Sequence, residues 1–256
     1  LTELQRDANK LFGYSAKETI DIMQKLYEQH KVLTYPRTDS RYLSSDIVGT
    51  LPERLKACGI GEYRSLANKV LTKSIKATKA FVDDSKVSDH HAIIPTEGYV
   101  NFSAFTDKER KIYDLVVKRF LAVLFPAHEY EQLTVQAQIA GEKFVAKGKT
   151  VLSAGWKEVY ANRFDDEEST DDVKEQLLPR LEKGQVLQTK LIAQTSGQTK
   201  PPARFTEATL LSAMENPTKY METGDKKLAE TLKSTGGLGT VATRADIIDK
   251  LFNAFM

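Results

Sequence analysis

The spacing of apolar residues changes from helical to alternating near residue 129, and this change limits the fold more than any other feature of the chain. Upstream of it, apolar residues recur every three to four positions. That spacing predicts two helices over 3–31, separated at Gly13, and a further helix over 107–124. Ser15 precedes the second helix and is a residue type that caps helix N-termini. The first half of the chain is therefore predicted to be helical.

Apolar and polar residues alternate over 133–139, in the order Leu-Thr-Val-Gln-Ala-Gln-Ile. This alternation predicts a half-buried strand, and Gly141 allows a turn into a partner strand over 142–149. A further strand is predicted over 187–195. Helical spacing returns after residue 202. The fold class is therefore predicted as α+β, mainly α with one β-rich segment.

These changes divide the chain into three predicted segments. A helical segment covers 1–128, a β-rich segment covers 129–200, and a second helical segment covers 201–256. The predicted helices of the last segment lie over 206–216, around 226–233 and from Thr243 onward.

The net charge of +2 is unevenly distributed along the chain. In residues 1–128, 20 Lys and Arg outnumber 16 Asp and Glu, whereas acids outnumber bases by 12 to 10 in residues 129–200. A long basic helix is predicted over 62–83. Four of its lysines recur at helical spacing: Lys69, Lys73, Lys76 and Lys79. Such a stripe fits a solvated helix face and a phosphate-binding track equally well.

Residues 33–42 read Leu-Thr-Tyr-Pro-Arg-Thr-Asp-Ser-Arg-Tyr. Because proline favours an extended conformation in the residue before it, Tyr35, Arg37 and Asp39 are predicted to share a face. A tyrosine hydroxyl, with a pKa of roughly 10, needs activation to act as a nucleophile, and an arginine favours the phenolate and binds phosphate. Asp39 or Ser40 is expected to cap a following helix. The Tyr-Pro-Arg triplet alone is far more typical of a turn with a solvated arginine than of a nucleophilic site.

The sequence predicts no metal site and no membrane-spanning segment in these residues. Cys58 is the only cysteine, which excludes a disulfide or a cysteine zinc site within the chain. None of the four histidines forms a His-x-x-x-His pair. Six acids crowd into 165–172, a pattern more typical of a solvated loop than of a carboxylate metal site. No apolar run approaches the ~20 residues that cross a bilayer.

Three motifs that follow one another along the chain resemble those of the type IA DNA topoisomerases, above all the bacterial topoisomerase III branch. The first is residues 33–43, and the second is Ser-Asp-His-His-Ala-Ile-Ile-Pro-Thr at 88–96. The third comprises residues 201–211 together with Gly-Gly-Leu-Gly-Thr-Val-Ala-Thr-Arg-Ala at 236–245. One departure is Val241, where the family usually has proline. The resemblance covers nearly the whole chain.

The resemblance implies roles for individual residues. Tyr35 matches the nucleophile of the family, and Arg37 and His90 match its catalytic neighbours. Further positions match DNA-contacting residues: Arg204, Thr206, Thr240, Thr243 and Arg244. The glycines at 236–239 also fit this interpretation on physical grounds, because they enter a helix whose N–H groups suit a phosphate. They lack the lysine of a mononucleotide-binding loop.

The resemblance also implies a reaction and its partners. Family members cleave and rejoin single-stranded DNA through a 5′-phosphotyrosine link without ATP, so single-stranded DNA is the expected partner. Their Mg²⁺ is bound by a Toprim domain, which this chain is expected to lack, so no cofactor is expected in these residues. The chain is expected to be a central fragment, inactive without that domain. It would comprise the helical tyrosine-bearing domain, part of a β arch and part of a helical base, and act in the cytoplasm at the bacterial nucleoid.

Other classes of phosphotyrosine enzyme fit less well. Tyrosine recombinases use a His-x-x-Arg element, and no histidine here is followed by arginine three positions later. Relaxases use a His-hydrophobic-His metal motif, which His90 and His91 do not supply. The alternative that stays open is a non-catalytic helical module that binds single-stranded nucleic acid, with Tyr35 stacking on bases.

Overall fold

The computed structural model describes residues 1–160, 178–179, 181–221 and 226–255. The chain forms two units, one of Leu1–Leu124 with Phe205–Met256 and the other of Phe125–Arg204. Helical residues from both ends of the chain therefore belong to one unit. The acidic stretch at 165–172 lies outside the described residues.

The first unit is built from α-helices, with longer loops and 3-10 helices between some of them. In chain order they are α1 (Thr2–Phe12), α2 (Ala16–Glu28), α3 (Leu51–Cys58), α4 (Arg64–Leu71), α5 (Asp107–Leu124), α6 (Glu207–Glu215), α7 (Lys226–Ser234) and α8 (Arg244–Phe255). The second unit contains strands β1 (Glu129–Ile139) and β2 (Glu142–Ser153). The described chain is thus about half helical with a small antiparallel sheet, which agrees with the predicted combination of helices and one β-rich segment.

Helices α1 and α2 form a hairpin whose ends follow from the local sequence. Gly13 ends α1 with a φ of 69°, a left-handed conformation that glycine adopts without steric cost, and its N–H donates to the carbonyl oxygen of Asn9 at 2.9 Å. The Ser15 hydroxyl accepts a hydrogen bond from the N–H of Glu18 at 3.0 Å and so begins α2. The predicted pair of helices and the predicted N-cap are confirmed.

The core of the first unit is formed largely by α2 and α5, which pack against each other. Met23 and Leu26 of α2 and Ile112, Tyr113 and Leu121 of α5 are fully buried. Burial of large apolar side chains contributes ~1.5–3 kcal/mol each. This core supports the segment that follows α2.

Residues 62–83 do not form the predicted single helix, and that prediction is wrong. Helix α4 ends at Leu71, and the Thr72 hydroxyl donates to the carbonyl oxygen of Lys69 at 2.8 Å. Threonine and serine hydroxyls compete with the backbone in this way and favour helix ends. The predicted lysine stripe therefore does not exist as one helix face, because Lys69 lies on α4 and Lys73, Lys76 and Lys79 lie beyond it.

Strands β1 and β2 pair in an antiparallel register that places Ile139 opposite Glu142. The connecting residues Ala140 and Gly141 have φ values of 50° and 90°, and positive φ at both positions is the signature of a type I′ hairpin turn. These two strands are confirmed. Both strands are mostly exposed on both faces rather than half-buried. Alternation predicts which side chains share a face of the sheet, but that face is buried only if another layer of the protein packs on it.

The strand predicted over 187–195 is wrong, since these residues take part in no described ladder. The last three predicted helices are confirmed as α6, α7 and α8. The loop before α8 packs against the end of α6: the N–H of Leu238 donates to the carbonyl oxygen of Met214 at 2.7 Å. A side chain at Gly237, whose φ is 95°, would lie 2.1 Å from that same oxygen, so only glycine fits there.

Candidate active site around Tyr35

Tyr35 lies in an extended segment that pairs with the chain just after the histidine loop. Leu33 and Pro95 form an antiparallel bridge. The N–H of Thr34 donates to the carbonyl oxygen of Ile94 at 3.0 Å, and the Thr34 hydroxyl accepts from the N–H of Ile94 at 3.0 Å. Two motifs that are distant in sequence are therefore fixed side by side.

The half-buried ring of Tyr35 lies between two other rings. The centroid of the His90 ring is 4.3 Å from that of Tyr35, and the centroid of Tyr27 is 5.6 Å from it, in an edge-on arrangement. Tyr27 lies on α2, whereas His90 is an exposed loop residue. The arrangement places the tyrosine ring close both to α2 and to an exposed histidine.

Arg37 contacts the same helix as Tyr35. Its Nη1 donates to Oε1 of Gln24 at 3.0 Å. Gln24 and Tyr27 are three residues apart on α2 and therefore lie on one face of it. Tyr35 and Arg37 thus both contact one face of α2, whereas Asp39, the third residue predicted to share their face, is exposed. The bond to Gln24 uses one of the five N–H donors of the guanidinium group.

Thr38 joins the tyrosine segment directly to the histidine loop. It is buried, with 3% of its surface exposed, and its hydroxyl donates to the carbonyl oxygen of His90 at 2.9 Å. The same hydroxyl accepts from the N–H of Ser40 at 3.1 Å. Sequence reasoning missed Thr38 and Gln24, because their partners lie 52 and 13 residues away. Only the position of Thr38 inside the motif gave any signal of its importance.

The cap expected from Asp39 or Ser40 is wrong. Residues 39–43 are not helical, and the next 3-10 helix begins at Ser45. The Ser40 hydroxyl instead donates to the carbonyl oxygen of Lys86 at 2.8 Å, which holds this loop against the chain before the histidine motif. Nδ1 of His91 lies 2.7 Å from the carbonyl oxygen of Ala92.

Helix α8 meets α2 through an ion pair. Nζ of Lys17 lies 2.9 Å from Oδ1 of Asp246. The hydrogen bond from Lys17 lowers the pKa of the Asp246 carboxyl, and the charge of Arg37 lowers it further. The ion pair therefore joins α8 to the helix that Tyr35 and Arg37 contact.

Two pairs of threonines lie at the starts of the helices that resemble DNA-contacting elements. Thr206 and Thr209 bond reciprocally at the start of α6, where each backbone N–H donates to the other hydroxyl at 2.8 and 3.2 Å. At the start of α8, the N–H of Thr240 donates to the Thr243 hydroxyl at 2.9 Å. Thr206, Thr240 and Thr243 are exposed.

Arg244 is buried, with 4% of its surface exposed, and is engaged within the protein. Its Nε and Nη2 donate to the carbonyl oxygens of Leu238 and Gly236 at 3.1 and 2.7 Å. Its Nη1 lies 3.4 Å from Oε1 of Glu215, whose other carboxylate oxygen accepts from Arg6 at 3.0 Å. Arg244 therefore holds the glycine loop. Arg204, which was also predicted to contact DNA, is exposed and belongs to the other unit.

The described part of the chain contains no group of three or more His, Cys, Asp or Glu side chains arranged to hold a metal ion. Within the same described residues, no helix is long and apolar enough to cross a membrane.

Comparison with known proteins agrees with the motifs. The family model described as DNA topoisomerase matches residues 1–254. The chain therefore belongs to the DNA topoisomerase family, and its motifs and fold are those of the type IA class. Within that class it is similar to the topoisomerase III branch. It is 83% identical over 256 residues to DNA topoisomerase 3 of Bacillus anthracis and 60% identical over 256 residues to DNA topoisomerase 3 of Bacillus subtilis.

The chain spans only part of these relatives. Both matches cover the whole of this chain, but the chain spans only 35% of the length of each curated relative. Its fold resembles the full-length topoisomerase I from Thermotoga maritima with a TM-score of 0.59 at 24% identity, covering 98% of this chain and 37% of that one.

Proposed function

We propose that this chain supplies the nucleophilic part of an enzyme that cleaves and rejoins single-stranded DNA through Tyr35. The observation that carries the proposal is the packing of Tyr35 and Arg37 on one face of α2, with the His90 ring 4.3 Å from the Tyr35 ring. A solvated turn would not need these contacts. Membership in the topoisomerase family supports the same interpretation.

In the proposed reaction the Tyr35 phenolic oxygen attacks a phosphodiester phosphorus. A bond forms between that oxygen and phosphorus, and the bond between phosphorus and the 3′ oxygen breaks. The tyrosine becomes joined to the 5′ phosphate, and the proton lost by the phenol balances the one gained by the leaving 3′ hydroxyl. The return of that hydroxyl reverses both steps, so the bond energy is stored and no ATP is consumed.

Arg37 and His90 have separate roles in this scheme. Arg37 binds a non-bridging phosphoryl oxygen and stabilises the charge that develops there, and such electrostatic stabilisation often contributes more to catalysis than any other effect. Its bond to Gln24 sets the direction of the guanidinium group. His90 orients the phosphate or carries the proton between phenol and leaving group. The bond from Thr38 to the His90 carbonyl oxygen supports either role, because it fixes the backbone that carries the ring.

Exposed donors at the starts of α6 and α8 are proposed to contact DNA. Thr206, Thr240 and Thr243 are exposed and retain the roles that the resemblance implies, and the exposed Arg204 of the second unit retains its own implied role separately. For Arg244 we propose a positioning role, because its guanidinium group already donates to two carbonyl oxygens of the loop. Such phosphate contacts position a strand without reading its sequence.

The rest of the enzyme is proposed to lie in the part of the relatives that this chain does not span. A Toprim domain there would bind Mg²⁺, and the 256 residues alone would not relax DNA. The two described units would then correspond to a helical tyrosine-bearing and base region and to part of a β arch. The site of action would be the bacterial nucleoid.

The test uses a full-length chimera, in which this chain replaces the matching residues of the Bacillus anthracis relative. The chimera and its Tyr35→Phe variant are incubated with Mg²⁺ and a labelled single-stranded oligonucleotide, then separated under denaturing conditions. A covalent adduct with the chimera and none with Tyr35→Phe is the expected result. Adducts with both proteins would identify a different nucleophile.

The second candidate is a non-catalytic module that binds single-stranded nucleic acid. The contact of Tyr35 with a second aromatic ring, that of Tyr27, is the observation that favours it, because aromatic clusters stack on bases. In that case neither protein forms an adduct, both bind the oligonucleotide with a steep salt dependence, and Tyr35→Phe retains full affinity because phenylalanine also stacks.

A further inference from the structure

Two large aromatic side chains are exposed together at the start of α6. Phe205 and Tyr220 have 56% and 58% of their surfaces exposed, and their ring centroids are 5.5 Å apart. Phe205 immediately precedes the Thr206 cap, and Tyr220 ends the 3-10 helix Pro217–Tyr220. Buried aromatic pairs stabilise a core, but this pair leaves more than half of each residue's surface in contact with solvent. Clustered exposed aromatic rings typically mark a binding surface.

The charges near this pair suit a polyanion. Lys219 is adjacent to Tyr220 and exposed. The acids of α6 are occupied elsewhere: Glu207 accepts from the N–H of Ala16 at 2.7 Å, and Glu215 pairs with two arginines. Lys219 therefore faces solvent, whereas the carboxylates of Glu207 and Glu215 are bound within the protein.

The pair belongs to the same unit as Tyr35. The N–H of Ala208 donates to Oδ1 of Asn9 at 3.1 Å, and Glu207 bonds to the first residue of α2. The start of α6 is thus anchored to the α1–α2 hairpin, and α2 carries the contacts of Tyr35. A strand held at Phe205 would be held by the same rigid group of helices that presents the nucleophile.

We propose that Phe205 and Tyr220 form a base-stacking subsite for single-stranded DNA, separate from the phosphate contacts. This inference rests on the proposed function and adds to it an aromatic contact that recognises a base of any identity. Base-aromatic stacking is tolerant of sequence because every base has a flat face. The competing explanation is structural, because an apolar residue before an N-cap often packs on the first turns of its helix.

The experiment is an abasic scan with the full-length chimera carrying Tyr35→Phe, so that binding is measured without cleavage. Single-stranded oligonucleotides each lack one base at a different position, and their affinities are measured for this protein and for its Phe205→Leu variant. If Phe205 stacks on a base, removal of the base at one position, or at two adjacent ones, should weaken oligonucleotide binding by the Tyr35→Phe chimera by about 5-fold or more. At that position Phe205→Leu should cause no further loss, since the base and the ring form one interaction.

Tyr99→Leu is the matched control, because Tyr99 is 87% exposed and lies in the same unit away from this stretch in sequence. It should leave the abasic profile unchanged. The proposal is overturned if the effects of Phe205→Leu and base removal add at every position, or if Tyr99→Leu alters the profile in the same way. A loss of thermal stability in Phe205→Leu with an unaltered profile would establish the structural explanation. Adduct formation by Tyr35 is measured separately, so failure here leaves the proposed function standing.

Discussion

Thr38 should control how well His90 is held against Tyr35, and Thr38→Val tests this with almost no change of shape. The substitution removes the bond to the His90 carbonyl oxygen at 2.9 Å and the bond from the Ser40 N–H at 3.1 Å. Each such bond contributes about 1 kcal/mol net, so the free energy of unfolding should fall by about 2 kcal/mol. If the bond to the His90 carbonyl oxygen positions the histidine, its loss should slow adduct formation by about fivefold.

Two assays separate these effects. Urea denaturation of the full-length chimera gives the loss of stability, and single-turnover adduct formation on a labelled oligonucleotide gives the rate. Thr38→Ser keeps the hydroxyl and should restore the rate. Thr19→Val is the matched control, because Thr19 is fully buried and donates to the Ser15 carbonyl oxygen at 2.8 Å on α2. It should reduce stability by about 1 kcal/mol without slowing the reaction.

The positioning argument is refuted if Thr38→Val is destabilised yet forms the adduct at the rate of the parent. It is also refuted if Thr19→Val slows the reaction as much, because the rate would then follow stability in general. An unchanged stability of Thr38→Val would contradict the hydrogen bonds themselves.

Three further predictions concern the packing of the first unit. Gly237→Ala should destabilise α8 and its loop by several kcal/mol, of order 3 or more, because the new methyl group would meet the Met214 carbonyl oxygen at 2.1 Å, and thermal melting measures this. Arg244→Gln should cost about 3 kcal/mol, since it leaves Glu215 with one cation fewer and frees two loop carbonyls; equal stability in urea would contradict the positioning role. Burial raises the pKa of the Cys58 thiol to about 12, so at pH 8 it should resist iodoacetamide in the folded protein and react once urea unfolds it; rapid labelling without urea would show an accessible thiolate.

The helices could be predicted where local signals agreed with burial. Around Ser15 the cap, the apolar spacing and the glycine before it all indicate the same helix start, and the helix begins at the next residue. The lysine spacing over 62–83 failed because exposed charges do not require a helix to continue. A helix continues favourably where it buries further apolar residues. Exposed lysines do not provide this, and α4 ends at Leu71.

The residues of the candidate site also fall into two groups, those that the sequence identifies and those that only the folded structure identifies. Tyr35, Arg37 and His90 stand in motifs that can be found in the sequence, because their residue types carry the chemistry. Thr38 and Gln24 were missed, because their bonds join segments that meet only after folding. Arg244 was predicted to share the role of the exposed donors, although its guanidinium group bonds to carbonyls of its own loop.

By itself the sequence determined the family, the helix cap at Ser15, the hairpin turn and the reactive residue types, since each depends on the identity of residues close together in the chain. Tertiary structure alone decided which distant segments meet: the histidine loop beside Tyr35, α6 and α8 against the α1–α2 hairpin, and the exposure of Phe205 beside Tyr220. The physical reason is that local preferences are set by backbone sterics and short hydrogen bonds. Contacts across the chain depend on which surfaces the whole fold buries.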